Sequence, residues 1–95
     1  MEFSGKKVTV VGTGISGIGA VGLLNAVGAE VVLYDGNEKL KIEDIEKKLG
    51  TYKAEIVLGE LTKELTDSSD LLVISPGVPI DSPVVKAFEA AGVPV

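Results

Sequence analysis

Residues 10–20 read VVGTGISGIGA. Three glycines stand at Gly12, Gly14 and Gly17, a G-x-G-x-x-G spacing that directly follows Lys7–Val11 (KVTVV). β-branched residues pack well on a pleated surface, so Lys7–Val11 reads as a strand. Ser16 reads as an N-cap or first-turn residue of a helix that runs to about Val27. Gly28 is its natural stop. A strand entering a helix through three glycines is the opening unit of an α/β fold. Gly12 permits the tight turn, Gly14 lets a ligand reach the backbone, and Gly17 lets helix and strand pack. Gly19 and Gly22 inside the helix each cost roughly 1 kcal/mol against Ala. That cost is tolerable where helix and sheet backbones must approach closely.

C-terminal to this unit the elements alternate. Glu30–Tyr34 (EVVLY) reads as a second strand ending at Asp35, with a turn at Gly36-Asn37. Glu38–Leu49 reads as an amphipathic helix with Leu40, Ile42, Ile45 and Leu49 on one side, closed by Gly50. Ala54–Leu58 is a third strand, and the polar run Thr62–Ser69 is one helical turn. Leu71–Ile74 (LLVI) is a fourth strand, apolar throughout and therefore expected to be central. Ser82-Pro83 supplies an N-cap and a first-position proline for a helix that buries Val84, Val85 and Phe88 and stops at Gly92. Val93–Val95 begins a fifth strand. This order predicts an α/β, Rossmann-like open parallel sheet of about five strands, with helices on both faces and right-handed crossovers. One domain spans residues 1–95. Because it stops inside the fifth strand, it reads as part of a longer protein.

Composition excludes several classes. The chain is 45% hydrophobic, with a mean hydropathy of +0.37, too apolar for disorder. A net charge of −5 argues against nucleic acid, whose binding needs Lys and Arg to neutralise phosphates. There is no Cys, hence no disulfide, thiolate metal site or Cys nucleophile. There is no His, so the usual general base at neutral pH is missing. No catalytic or metal-ligating residue is expected here. Val8–Ala29 is uncharged and follows Lys6-Lys7, which resembles a membrane span or signal segment in length. Its glycines and its Thr9, Thr13, Ser16 and Asn25 instead divide it into a strand and a helix. Buried strands of parallel sheets are continuously apolar in the same way.

In such a sheet the glycine loop lies at the carboxyl edge. The N–H groups opening the following helix carry partial positive charge there and hold phosphate without a basic side chain. Ile15 and Ser16 would present those N–H groups, and the Ser16 hydroxyl could add a bond. Asp35 ends the second strand, where an acid can accept a hydrogen bond from a bound nucleotide; otherwise it is a solvated turn residue. Ser75-Pro76-Gly77-Val78-Pro79 follows the fourth strand toward the same crevice. It is either a wall against which a ring lies at Gly77 or an ordinary Pro-Gly turn. Three classes of protein fit: a mononucleotide-binding domain, an NAD(P)- or flavin-binding domain of an oxidoreductase or redox-sensing regulator, and an interaction module whose loop is unused.

Four stretches together resemble the N-terminal domain of the Mur ligases, the D-glutamate-adding members above all. They are Gly5–Val8 leading into VVGTGISG, LYD at 33–35, SPGVP at 75–79 and PVVKAFEAAGVPV at 83–95. The glycine loop alone is unspecific, but its combination with the other stretches covers nearly the whole chain. The resemblance implies a domain that binds the UDP moiety of UDP-N-acetylmuramoyl-L-alanine. Gly14, Ile15, Ser16 and Gly17 would meet the diphosphate. Asp35 would accept from uracil with Gly36 and Asn37 beside it, and Ser75, Gly77 and Val78 would line the ring. Some members carry a hydroxyl residue and an Arg where Gly36 and Asn37 stand. The resemblance further implies a cytoplasmic enzyme of peptidoglycan synthesis. Its ATP and Mg2+ bind a central domain through a G-K-[ST] loop, and its amino acid binds a third domain. No G-K-[ST] occurs here, so the resemblance makes this chain a substrate handle, inactive alone, with no nucleic-acid or membrane partner.

Overall fold

The computed structural model describes residues 4–75, 78 and 82–94. Elements follow in the order β1 (Lys7–Val11), α1 (Ile15–Ala26), β2 (Glu30–Asp35), α2 (Ile42–Leu49), β3 (Glu55–Leu58), α3 (Lys63–Ser68), β4 (Leu71–Ile74) and α4 (Pro83–Ala90). The strands form a parallel sheet in the order β3-β2-β1-β4. The fold is α/β as expected, with four strands among the described residues instead of about five. Val95 lies outside them. Pro94 already accepts a 2.8 Å bond from the Leu72 N–H, on the side of β4 away from β1.

Alternation along the strands sorts the core onto two faces. Val8, Val10, Val31 and Leu33 pack with Val21 and Leu24 of α1 and with Ile45 and Leu49 of α2. Val11, Val32, Tyr34 and Leu72 pack with Leu65 of α3 and with Val85 and Phe88 of α4. The apolar run of β4 reflects these two covered faces. Among the described residues its strand ladder pairs with β1, so the strands flanked on both sides there are β1 and β2, not β4. The start of the β1–β4 register is pinned by Asp70. Its carboxylate accepts from the Lys7 N–H at 2.8 Å, and its own N–H donates to the Lys7 carbonyl at 2.7 Å. That register pairs Val11 with Ile74, which carries Ser75 to the level of Gly12.

Two buried hydroxyls are satisfied among the packed side chains. Ser69 donates to the Leu65 carbonyl at 2.7 Å, which leaves Thr9 to donate to Ser69 at 2.7 Å. Such pairing removes the penalty of burying them.

Several element bounds differ from expectation for local reasons. α2 begins at Ile42, not Glu38. The Asn37 side chain accepts from the Lys39 N–H at 3.1 Å, an Asx turn that competes with helical pairing. Ile42, expected inward, is half exposed. The N-cap of α1 is Gly14, and Ser16 sits in the first turn. α1 ends at Ala26 with Val27 as C-cap, and Gly28 follows at φ 80. A Cβ on Gly22 would stand 2.6 Å from the Tyr52 ring, so this glycine admits a side chain and not the sheet. A Cβ on Gly19 would meet nothing within 4 Å. Among the described residues no helix is long and apolar enough to cross a membrane.

Phe88 has no exposed surface and anchors α4 to the sheet. Replacing it with Ala should cost about 3–5 kcal/mol. Chemical denaturation checks this, and a loss under about 1 kcal/mol would contradict the packing described.

Candidate functional site

Strand order reverses at β1: β2 and β3 lie on one side and β4 on the other. Ligands of open α/β sheets bind at such a point, beyond the carboxyl ends of the strands. The segments that leave β1 and β4 here are the glycine loop and Ser75.

The loop is built by close contact. Gly12 has φ 109, a conformation suited to glycine, and a Cβ there would stand 2.7 Å from Ser75 Oγ. A Cβ on Gly17 would overlap the Gly12 carbonyl and approach Ser75 Oγ to 3.3 Å. The expected packing role of Gly17 is therefore met against the loop backbone. Ser75 Oγ donates to the Val11 carbonyl at 3.0 Å, bracing the loop from the β4 side. Gly14 is different. Its φ of −75 suits any residue, and a Cβ would meet nothing within 4 Å. The fold does not demand glycine there; its absent side chain keeps the space before α1 open.

No side chain caps α1, and the first backbone bond of its ladder is Ile18 N–H to the Gly14 carbonyl at 3.0 Å. The N–H groups of Ile15, Ser16 and Gly17 precede that bond and open toward the loop. Ile15 is 94% exposed, and Ser16 is exposed as well.

Asp35 is tied to this loop. One carboxylate oxygen accepts from the Thr13 N–H at 3.2 Å and from the Thr13 hydroxyl at 3.0 Å. The other accepts from the Asn37 N–H at 3.0 Å. A carboxylate offers about four lone-pair sites, so one further donor can be taken. Thr13 is buried and was not among the expected site residues. Its signal lay in the strand pairing: Val11 opposes Tyr34, so Asp35 falls beside the loop one step beyond.

The structure thus brings together Gly14, Ile15, Ser16, Gly17, Asp35 and Ser75. Gly36 and Asn37 follow Asp35 on the surface. Val78 lies near the loop, 3.8 Å from the position of a Gly12 Cβ, and donates to the Ser75 carbonyl at 2.9 Å. Gly77 falls outside the described residues. A groove of about 630 Å3 lies at the opposite, amino edge of the sheet, bordered by Lys7, Glu30 and Glu55. Among the described residues no helix starts at this edge of the parallel strands, so the carboxyl edge remains the better site.

Tyr34 sits beneath Asp35, with its hydroxyl donating to the Gly59 carbonyl. Burial, then the charges of Asp35 and Glu60, raise its pKa above the ordinary 10.0.

A parallel sheet whose first strand enters its helix through a glycine loop is a Rossmann-like α/β domain. Residues 6–95 match the family described as Mur ligase MurD-like, N-terminal domain, and the chain belongs to that family. It is 61% identical over 95 residues to the UDP-N-acetylmuramoylalanine–D-glutamate ligase of Lachnospira eligens, covering 100% of this chain and 21% of that protein. It is 50% identical over 96 residues to the ligase of the same name from Lachnoclostridium phytofermentans, again over 100% and 21%. For that of Thermoanaerobacter sp. (strain X514) the identity is 40% over 89 residues, 94% and 20% of the two chains. The chain spans about a fifth of the length of these relatives.

Two outcomes are expected. Gly17→Ala should destabilise the domain by about 1–3 kcal/mol through overpacking, whereas Gly14→Ala should cost less than about 1 kcal/mol, the scale of a poorer N-cap. Urea unfolding of both variants checks the contrast. For Tyr34 the folded state binds its proton more tightly than the unfolded chain does. This contribution is complete below about pH 10 and is lost as pH rises through the folded pKa. Tyr34→Phe should therefore flatten the fall in stability above pH 10, as read by unfolding at a series of alkaline pH values.

Proposed function

We propose that this domain holds the uridine diphosphate part of UDP-N-acetylmuramoyl-L-alanine. The observation that carries the reading is the uncapped start of α1 beside a carboxylate bonded to the same loop. The N–H groups of Ile15, Ser16 and Gly17 suit a diphosphate, and the open space at Gly14 lets it approach. The free acceptor site of Asp35 suits the ring N–H of uracil, with Gly36 and Asn37 alongside and Ser75, Gly77 and Val78 opposite. The names of the relatives supply the ligand class.

In this reading the chain serves a ligase of peptidoglycan synthesis that joins D-glutamate to the substrate carboxylate. That carboxylate is activated as an acyl phosphate by ATP and Mg2+. The chain has no G-K-[ST] loop, and in this reading ATP, Mg2+ and the amino acid are held by the rest of the ligase. Its own part is to bind and orient. Anchoring the uridine end fixes where the distant carboxylate can reach, which lowers the entropy cost of the reaction elsewhere.

The test is a titration of the chain with UDP-N-acetylmuramoyl-L-alanine and, in parallel, NAD, followed by backbone amide shifts. The uridine ligand should move Ile15, Ser16, Gly17 and Asp35, and NAD should not. Asp35→Ala should weaken the uridine ligand by about 1.5–3 kcal/mol. Gly14→Val should abolish the shifts with the domain still folded. A response to NAD alone, or to neither ligand, would overturn the reading.

A further inference from the structure

Residues 38–48 carry four lysines (Lys39, Lys41, Lys47, Lys48) and four acids (Glu38, Glu43, Asp44, Glu46). The fold sorts them by sign. A groove of about 520 Å3 extends from Thr13 along α2, lined by Lys39, Lys41, Asp44, Lys47 and Lys48. All four lysines border it, but only one of the four acids. The chain as a whole has a net charge of −5 and only nine basic residues, so nearly half its cations meet at this groove.

Thr13 joins the groove to the glycine loop. It bonds Asp35 on one side, and the next residue, Gly14, is the N-cap of α1. The loop itself contributes no cation: Val8–Ala29 is uncharged, and α1 has no basic residue in its last turn. A diphosphate nearing an acidic domain with Asp35 at the binding edge is repelled unless positive charge stands close by. At an ionic strength of 0.15 M charges act over about 8 Å, so only neighbouring cations can offset that repulsion. The buried Ile45 also lines the groove, and an apolar neighbour lowers the local dielectric in which charges there would act.

We propose that this lysine-lined groove is an anion subsite for phosphate-type oxyanions, which attracts a diphosphate and holds it beside the N–H groups of α1. The proposal rests on the diphosphate reading of the same loop. It adds a contribution from charge, which depends on salt, to one from oriented N–H groups. Lys47 and Lys48 also suit the last turn of α2, where cations offset the helix dipole. That role alone predicts a loss of stability on their removal and no effect on anion binding.

The probe is inorganic pyrophosphate, titrated against the chain while backbone amides are followed at low and high salt. Shifts are expected at residues 39–48 as well as at Ile15–Gly17. Replacing Lys39, Lys41, Lys47 and Lys48 together with Gln should weaken pyrophosphate about tenfold, the combined scale of several exposed charge pairs. Replacement by Arg should restore it, and added salt should narrow the gap. If the fourfold variant does not fold, K39Q/K41Q and K47Q/K48Q are measured separately, each with about a threefold loss expected. Shifts confined to Ile15–Gly17, or equal affinity in the Gln variants, would overturn the proposal. Shifts at 39–48 in a chain that ignores the uridine ligand would uphold the subsite while removing the nucleotide reading.

Discussion

Everything at the carboxyl edge depends on how closely α1 approaches the end of β1. Gly17 lies against the Gly12 carbonyl, and Ser75, the residue after β4, fills the space beside both. A single methyl at Gly17 would push the helix from the loop and from its support. This contact sets the direction of the α1 axis and hence of its open N–H groups. It also explains why two glycines and a serine, 63 residues apart at their extremes, behave as one structural unit. The serine reaches that unit only because Asp70 starts the β1–β4 pairing at Lys7.

Much of this was readable without coordinates, because local chemistry and global fold agree there. A β-branched run marked the bounds of β1, an apolar run those of β4, and Ser82-Pro83 the start of α4. The errors came where a side chain competed with the backbone or where apolarity had two causes. Asn37 captured the Lys39 N–H and delayed α2 by four residues. Leu71–Ile74 is apolar because both its faces are covered, which says nothing about how many strands pair with it.

The site was legible in part. The glycine spacing and Asp35 could be read directly, since their roles follow from the chain order of strand, loop and helix. Thr13 could not, because its bond to Asp35 exists only once Val11 is set opposite Tyr34. The sorting of lysines was equally hidden. Along residues 38–48 the two signs are mixed, and only the turn of the backbone into α2 gathers one sign at the groove.

The bond between Thr13 and Asp35 links the two ends of the site mechanically. The carboxylate that would read a base is fastened to Thr13, which directly precedes the Gly14 N-cap of α1. A base that fixes Asp35 thereby stiffens the loop, and a phosphate that orders the loop steadies the carboxylate. Each half of a nucleotide then lowers the ordering entropy left for the other half. Under the proposed function, recognition would be chelate-like: separate base and phosphate fragments would together be held less firmly than the intact nucleotide.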